Sequence, residues 1–172
     1  YILDDYEGVF DRFSECSNVR LYSKSLEDIG EILEDIKMNL EERFQQREMK
    51  GIHTVELLTP IVFLIQNQEA ITSISNNKNN LTIYKEILSR YKGLKCCIVF
   101  TNMENTSITF NSPEVLKMMK EDRQLLLFDN LSEVKLFDCP SSLLRKYKNP
   151  LEDGEGFLLL GNNLSKIKIV SL

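Results

Sequence analysis

Apolar residues recur along the chain with two different periods, and the longest helical pattern lies near the amino end. Between residues 25 and 51 they are spaced three and four positions apart, as on one face of a helix, at Leu26, Ile29, Leu33, Ile36, Leu40 and Phe44. Ser25 is a common helix cap and Gly51 a typical stop. The pattern therefore predicts one long amphipathic helix between these two residues.

Shorter apolar runs predict strands that alternate with helices. The predicted strands cover residues 1–4, 19–22, 60–65, 96–101 and 125–128. A hairpin is predicted at about 156–171, turning at Gly161. Further helices are predicted at about 81–92 and from about residues 112 and 140, while the polar stretch 75–80 predicts a loop. This alternation indicates an α/β domain with a mainly parallel sheet.

Composition and charge narrow the functional classes. The chain has 172 residues and a mass of 20.0 kDa, enough for one domain with a substantial core. The 26 acidic and 21 basic residues give a net charge of −5, which disfavours a protein that tracks the backbone of a nucleic acid. No apolar run approaches the about 20 residues that span a bilayer. We therefore expect any membrane attachment to lie outside these residues.

The cysteines predict reduced thiols rather than a metal or redox site. Cys16, Cys96, Cys97 and Cys139 show no CxxC spacing. Cys96 and Cys97 are neighbours in a predicted strand, so their side chains are expected on opposite faces of the sheet.

Two neutral amides, Gln66 and Asn67, follow the strand predicted at 60–65. This segment resembles the Walker B strand of P-loop NTPases, which ends in an aspartate that holds Mg²⁺ on the nucleotide phosphates. An amide supplies none of the negative charge that a hard dication requires. The resemblance therefore predicts an ATPase-like shape with a degenerate metal site, suited to binding or regulation.

The serial order of the segments resembles the FtsK/SpoIIIE-type ATPase modules. Within that group the chain is most similar to the last module of the type VII secretion membrane ATPases, the EssC and EccC proteins. The match is carried by segments 1–8, 40–44, 60–67 and 154–157. Segment 99–102 lies where the family's next strand ends in a polar sensor, which gives that position to Asn102. The P-loop motif GxxxxGK[ST] would lie upstream of Tyr1 and is absent from this sequence.

The resemblance implies a fold: a mostly parallel P-loop NTPase-like sheet flanked by helices, with a C-terminal β-hairpin. Residues 1–172 would be a single degenerate module, the C-terminal part of a larger protein, without its P-loop segment. The apolar start at Tyr1, with no initiator methionine, favours the same interpretation. Because the P-loop strand lies inside the sheet of such modules, we expect a gap there or an upstream segment that fills it.

The resemblance also implies a role. The parent would be a bacterial cell-membrane protein with several modules in tandem on its cytoplasmic side, and an oligomer of the full protein is possible. The last module is associated in that family with the C-terminal signal of secreted substrates. We therefore expect a module that binds these substrates and neighbouring modules, but no nucleic acid, and regulates export without hydrolysing ATP. ATP and Mg²⁺ would be cofactors of the parent, not of this chain. The alternative is an active P-loop ATPase motor domain completed by upstream residues.

The nucleotide-site remnants would be Gln66, Asn67 and Asn102, with no catalytic or metal residue. Asp4 and Asp5 could form a carboxylate pair, although the end of a strand followed by a turn is the favoured interpretation. His53, the only histidine, is predicted in a loop with no triad partner. The substrate-binding residues are unknown at this point, and the candidate borders of a groove are the helix at 115–119, with Met118 and Met119, and the loop at 76–80. Core packing is the favoured role of those two methionines.

Overall fold

The computed structural model describes residues 1–51 and 53–169. The chain divides into two compact units, Tyr1–Met103 and Glu104–Leu172. They are called unit 1 and unit 2 below, and each is described by itself.

Unit 1 is built on a parallel sheet of four strands. The strands are β1 (Ile2–Leu3), β2 (Tyr22–Ser23), β3 (Ile61–Ile65) and β4 (Cys96–Phe100), in the spatial order β2-β1-β3-β4. Three of them lie within their predicted segments, and the parallel sheet that the sequence predicted is confirmed. Strand β2 begins later than predicted, because the N–H of Val19 is used in a turn, donating to the carbonyl of Cys16 at 2.9 Å.

The predicted long helix is present as α1 (Ile29–Lys50), preceded by a 3₁₀ turn at Leu26–Asp28. Its buried stripe consists of Ile29, Ile32, Leu33, Ile36 and Leu40. The Ser25 side chain accepts a hydrogen bond from the N–H of Glu27 at 3.2 Å, and Gly51 ends the helix with φ of 87°, a conformation that favours glycine. A single turn, α2 (His53–Glu56), follows.

The prediction of a loop at 75–80 is wrong, because two helices meet there. Helix α3 (Glu69–Asn76), which the sequence pattern did not reveal, and α4 (Lys78–Ser89) are separated by Asn77 alone. The Asn77 side chain accepts hydrogen bonds from the N–H groups of Asn79 and Asn80 at 3.0 and 3.1 Å. This cap satisfies the first amides of α4, so the run of polar residues starts a helix instead of a loop.

The two faces of the parallel sheet differ. The register places Leu3, Phe63, Ile65 and Phe100 on one face, called the first face below. It is buried, and Tyr84 of α4 contacts Phe100 with ring centroids 6.5 Å apart. The register places Val62, Leu64, Cys97 and Val99 on the second face. Val62 is 45% exposed and Val99 36% exposed.

Unit 2 contains an antiparallel sheet of three strands, in the order β5-β6-β7. Its elements are α5 (Glu114–Asp122), β5 (Gln124–Leu127), α6 (Ser141–Lys146), β6 (Glu155–Leu160) and β7 (Asn163–Lys168). The core comprises Leu127, Leu131, Phe137, Phe157 and Leu159. The predicted C-terminal hairpin is confirmed as β6 and β7, while its expected end at 170–171 lies outside the described residues.

Candidate functional site

The predicted site residues lie where β3 and β4 end, at the carboxyl edge of the parallel sheet. Ligands bind outside this edge in open α/β sheets. Gln66 and Asn67 follow β3, and Thr101 and Asn102 follow β4. The sheet therefore brings Gln66, Asn67 and Asn102, the residues predicted as nucleotide-site remnants, to two neighbouring strand ends.

Gln66 is held inside the protein, with only 8% of its surface exposed. Its N–H donates to the carbonyl of Leu3 at 2.9 Å, which ties the end of β3 to β1. Its side-chain oxygen accepts a hydrogen bond from the hydroxyl of Thr101. The N–H of Thr101 also donates to the carbonyl of Ile65 at 2.9 Å. The Gln66 oxygen that would face a ligand is thus used to close β3 against β4.

The other two predicted residues also have structural tasks. Asn67 accepts a hydrogen bond from the N–H of Glu69 at 2.9 Å, at the start of α3. Asn102 is exposed and has φ of 52°, the left-handed conformation that asparagine tolerates better than most residues. It ends β4, and its side chain remains accessible at the edge of the sheet.

The carboxylates that follow β1 organise the backbone. Asp4 is completely buried and accepts hydrogen bonds from the N–H groups of Asp5 and Phe10, at 3.0 and 2.7 Å, and from the Tyr22 hydroxyl at 2.9 Å. Asp5 accepts from the N–H groups of Glu7 and Gly8 at 3.1 and 3.2 Å. Three donors occupy the Asp4 carboxylate, so its geometry suits the end of a strand and a turn, as favoured from the sequence, rather than acid–base catalysis.

A second carboxylate shares the Tyr22 hydroxyl. Asp11 contacts this hydroxyl and forms an ion pair with Lys24 at 2.9 Å. The hydrogen bond from Tyr22 and that from Lys24 hold the pKa of Asp11 below its usual value. Burial, followed by the hydrogen bond to Asp11, raises the pKa of Tyr22. The hydroxyl therefore stays protonated at physiological pH and fastens the connection between β1 and β2.

The remaining candidates do not form a reactive centre. His53 begins α2 instead of lying in a loop, is exposed, and contacts Glu56 at 3.3 Å. Burial raises the pKa of the Cys96 thiol to about 11, so this thiol remains protonated at neutral pH. Within residues 1–51 and 53–169, no three His, Cys, Asp or Glu side chains are grouped closely enough to hold a metal ion. None of the helices described is long and apolar enough to cross a membrane.

Comparison with solved structures identifies the fold. The cytoplasmic domain of EssC superposes on this chain with a TM-score of 0.68 at 18% sequence identity, covering 98% of this chain and 32% of that one. EssC ATPases 2 and 3 from Geobacillus thermodenitrificans give a TM-score of 0.63 at 17% identity, covering 98% and 30%. The fold is that of the EssC ATPase domains. The chain spans about a third of the length of these two structures.

No protein-family model matches the chain, and no curated protein matches its sequence. The EssC-type fold is therefore recognised through the path of the backbone, in agreement with the resemblance drawn from the order of the segments. At 17–18% identity this likeness describes the fold and leaves the chemistry to the residues of this chain.

Two residues that hold β3 and β4 in place, Thr101 and Arg43, were not predicted from the sequence. Thr101 is the partner of Gln66, and its signal was its place directly after an apolar strand, one residue before Asn102. Arg43 donates to the carbonyls of Leu94 at 3.1 Å and Thr59 at 2.8 Å. It thereby joins α1 to the segments that lead into β3 and β4. Arg43 belongs to segment 40–44, which carries part of the family resemblance, but the sequence does not reveal its carbonyl partners.

The two candidate borders of a substrate groove, the helix at 115–119 and the segment 76–80, are each buried in part and exposed in part. Val115 and Leu116 of α5 are buried, so this side of the helix belongs to a core, while Met118 and Met119 are half-buried. Asn80 is buried, whereas residues 76–79 are exposed. A separate shallow groove in unit 1 is lined by Arg20, Leu21, Glu31, Glu34, Asp35 and Met38.

Proposed function

We propose that this chain is a degenerate ATPase-like module of a type VII secretion motor protein, which recognises secreted substrates and regulates export without hydrolysing ATP. In this proposal the parent is anchored in the bacterial cell membrane, and the module lies on the cytoplasmic side beside other modules of the same chain. The fold shared with EssC ATPase domains supports the assignment to that system.

The observation that carries the regulatory role is the closed pair of Gln66 and Thr101. In P-loop NTPases the corresponding carboxylate helps to hold Mg²⁺ through the charge it presents to the nucleotide site. Here the side chain is neutral, 8% exposed and hydrogen-bonded to the neighbouring strand. Asp4, at the end of β1, already has three hydrogen-bond donors. Asp4 and Gln66, at the ends of β1 and β3, thus offer no accessible carboxylate for a dication.

A measurement of nucleotide binding and turnover distinguishes the proposed function from the alternative, which is an active motor domain completed by upstream residues. We expect the purified 172-residue chain to show no magnesium-dependent ATP turnover, and Gln66→Asp to restore none, because a phosphate cradle is also required. Calorimetry with ATP and Mg²⁺ on a chain extended by the parent's preceding residues gives the decisive reading. Tight binding and turnover by that longer chain would establish the alternative.

Substrate recognition is tested with peptides. A helical signal peptide docked through apolar anchors should bind with a dissociation constant on the order of micromolar, because it must lose chain entropy on docking. The probes are labelled C-terminal peptides of type VII substrates, measured by fluorescence anisotropy against scrambled peptides of equal composition. Equal affinities for true and scrambled peptides would remove substrate recognition from the proposal.

A further inference from the structure

The shallow groove of unit 1 follows one side of helix α1. The helix contributes lining residues that are three and four positions apart and therefore form one stripe: Glu31, Glu34, Asp35 and Met38. The opposite wall is formed by Arg20 and Leu21, in the segment that leads into β2. The groove thus combines charged and apolar side chains along the axis of the helix.

The only cation in the lining of the groove is already paired. Arg20 donates to both carboxylate oxygens of Asp35, at 2.5 and 2.8 Å, so these two charges compensate each other. Within the described part of the chain, no residue forms an ion pair with Glu31 or Glu34. The Glu34 carboxylate accepts one long hydrogen bond, from the neutral amide of Asn79 at 3.4 Å. The groove therefore presents two uncompensated negative charges.

The helix itself accounts for one of these two charges. Glu31 lies in the first turn of α1, where the helix macrodipole favours an acid. The effect falls off within that turn, and Glu34 lies beyond it. Like charges on neighbouring positions of a helix also repel each other. The macrodipole therefore gives no reason for an acid at Glu34.

Exposed apolar surface adjoins the two carboxylates. Met38, one turn after Glu34, is 61% exposed, and Leu21 is half-buried on the opposite wall. Methionine is unbranched and adapts to apolar partners of different shapes. Beyond Met38 the stripe continues with Glu42, which is exposed. From Glu31 to Glu42 the stripe extends about 16 Å along the helix axis, at about 1.5 Å a residue.

We propose that this groove binds a basic amphipathic helix of a partner protein. Lysine or arginine side chains of the partner, one helical turn apart, pair with Glu31 and Glu34, and an apolar side chain covers Leu21 and Met38. The uncompensated negative charge selects a basic partner. A helix is the matching shape because its side chains recur with the same pitch as the acids of α1. The proposal does not rest on the type VII assignment or on recognition of a secreted substrate.

A synthetic peptide serves as the probe. It is a labelled helix of about 18 residues made of leucine and lysine, with one leucine stripe flanked by lysines. Two comparison peptides have the same composition in a scrambled order, or glutamate in place of lysine. Fluorescence anisotropy with the complete 172-residue chain at low ionic strength measures the dissociation constants. We expect a value on the order of tens of micromolar for the probe, at least about fivefold weaker binding of the scrambled peptide, and no binding of the acidic one.

Paired variants distinguish the groove from the overall charge of the chain. Glu31→Gln combined with Glu34→Gln should raise the dissociation constant about fivefold, as expected for the loss of two exposed ion pairs. Glu121→Gln combined with Asp153→Asn removes the same charge from exposed positions of unit 2 and should raise it less than about twofold.

The apolar part of the groove is tested separately. Met38→Gln should weaken binding about threefold without changing the charge, because less apolar area is then covered. All five substituted side chains are exposed, and circular dichroism verifies that each variant is folded. If the double variant at Glu31 and Glu34 does not fold, Glu34→Gln alone should give about a twofold loss.

Equal losses in the groove variants and in the unit 2 variants would overturn the proposal, because the probe would then respond only to net charge. Equal affinities of the amphipathic and scrambled peptides would overturn it as well, since the groove would then not recognise a helix. Displacement of the probe by spermine at a concentration no higher than that of the peptide would assign the groove to a small polycation, which is also a contrary result.

Discussion

The two faces of the parallel sheet use the same strands for different purposes. On the first face, Phe63 and Ile65 are almost completely buried, and α1 and α4 lie against the strands. On the second face, Val62 and Val99 are exposed, and Gln66 contacts Thr101 where β3 and β4 end. The stability of unit 1 should therefore come from the first face, while the second face remains available for association. Adjacent residues of one strand should then respond very differently to substitution.

The largest expected difference is between Phe63 and Val62. Phe63→Ala removes a fully buried ring and should lower the free energy of unfolding by about 3–5 kcal/mol. Val62→Ala, at a position 45% exposed, should lower it by about 0.5 kcal/mol or less. Urea unfolding followed by circular dichroism measures both. Similar losses for the two variants would contradict the distinction between the faces.

Arg43 should be the next most sensitive position. Its guanidinium donates to the carbonyl of Leu94 in a partly buried position and to the carbonyl of Thr59 in an exposed one, and Arg43→Ala leaves both acceptors without this donor. Hydrogen bonds from charged groups contribute about 1.5–3 kcal/mol, and a loss of this size is expected. Arg43→Lys retains the charge but lacks the fork that reaches two carbonyls, so it should recover only part of the loss. If Arg43→Ala had the same free energy of unfolding as the unsubstituted chain, these hydrogen bonds would not contribute to stability.

The pair of Gln66 and Thr101 should have a smaller effect. Gln66→Ala, Thr101→Val and the double variant form a cycle that isolates their mutual hydrogen bond from other changes. A coupling free energy of about 1 kcal/mol is expected for such a bond in a poorly exposed position. A coupling free energy near zero would show that the Gln66 oxygen is not held by Thr101 and is available to a ligand. It would contradict the proposal that this hydrogen bond closes the carboxyl edge of the sheet.

The smallest expected effect lies at the rim of the first face, where it depends on pH. Asp35 accepts hydrogen bonds from Arg20 at 2.5 and 2.8 Å and from the Tyr1 hydroxyl at 2.6 Å. The bond from Arg20 is the main reason why the pKa of Asp35 is lowered. A lowered pKa in the folded state stabilises the fold above the unfolded pKa of about 4, and this contribution is lost as the pH falls through the folded value.

Arg20→Gln should therefore lower the urea midpoint slightly at pH 7, because the pair is largely exposed at Arg20. The difference from the unsubstituted chain should start to shrink as the pH falls below about 4, where Asp35 of the unfolded chain becomes protonated, and should disappear once the folded carboxylate is protonated as well. Lys92→Gln, at an exposed lysine, serves as a control for the change in net charge. If the difference between the two urea midpoints grew on acidification, the predicted direction of the pH dependence would be wrong.

Sequence patterns predicted those parts of the fold that depend on neighbouring residues. The stripe on α1, its Ser25 cap and its Gly51 stop are all local signals, and the apolar runs marked β3 and β4. Helix α3, which was not predicted, lacks such local signals. It has only three buried residues, Ala70, Ile71 and Ile74, and the polar residues that follow it suggested a loop. Only the capping bonds of Asn77 show that the chain continues as a helix.

The position of the candidate site could be predicted from the sequence, but the hydrogen bond that occupies the Gln66 side chain could not. Strand ends placed Gln66, Asn67 and Asn102 at one edge of the sheet, as expected for parallel strands. The partner of Gln66 is 35 residues away, and pairing at that separation depends on the register of β3 and β4. The prediction of a single module, like the roles given to the three site residues, remains a prediction.

Helix α1 links strands that are far apart in the sequence. In its second turn, Asp35 contacts Tyr1 at the start of β1, and two turns later Arg43 contacts the segments that lead into β3 and β4. A helix of 22 residues is about 33 Å long and stiff along its axis. A pull on the start of β1 must therefore be shared with β3 and β4 before any one strand can separate. Under mechanical load, unit 1 should extend in one abrupt step rather than strand by strand.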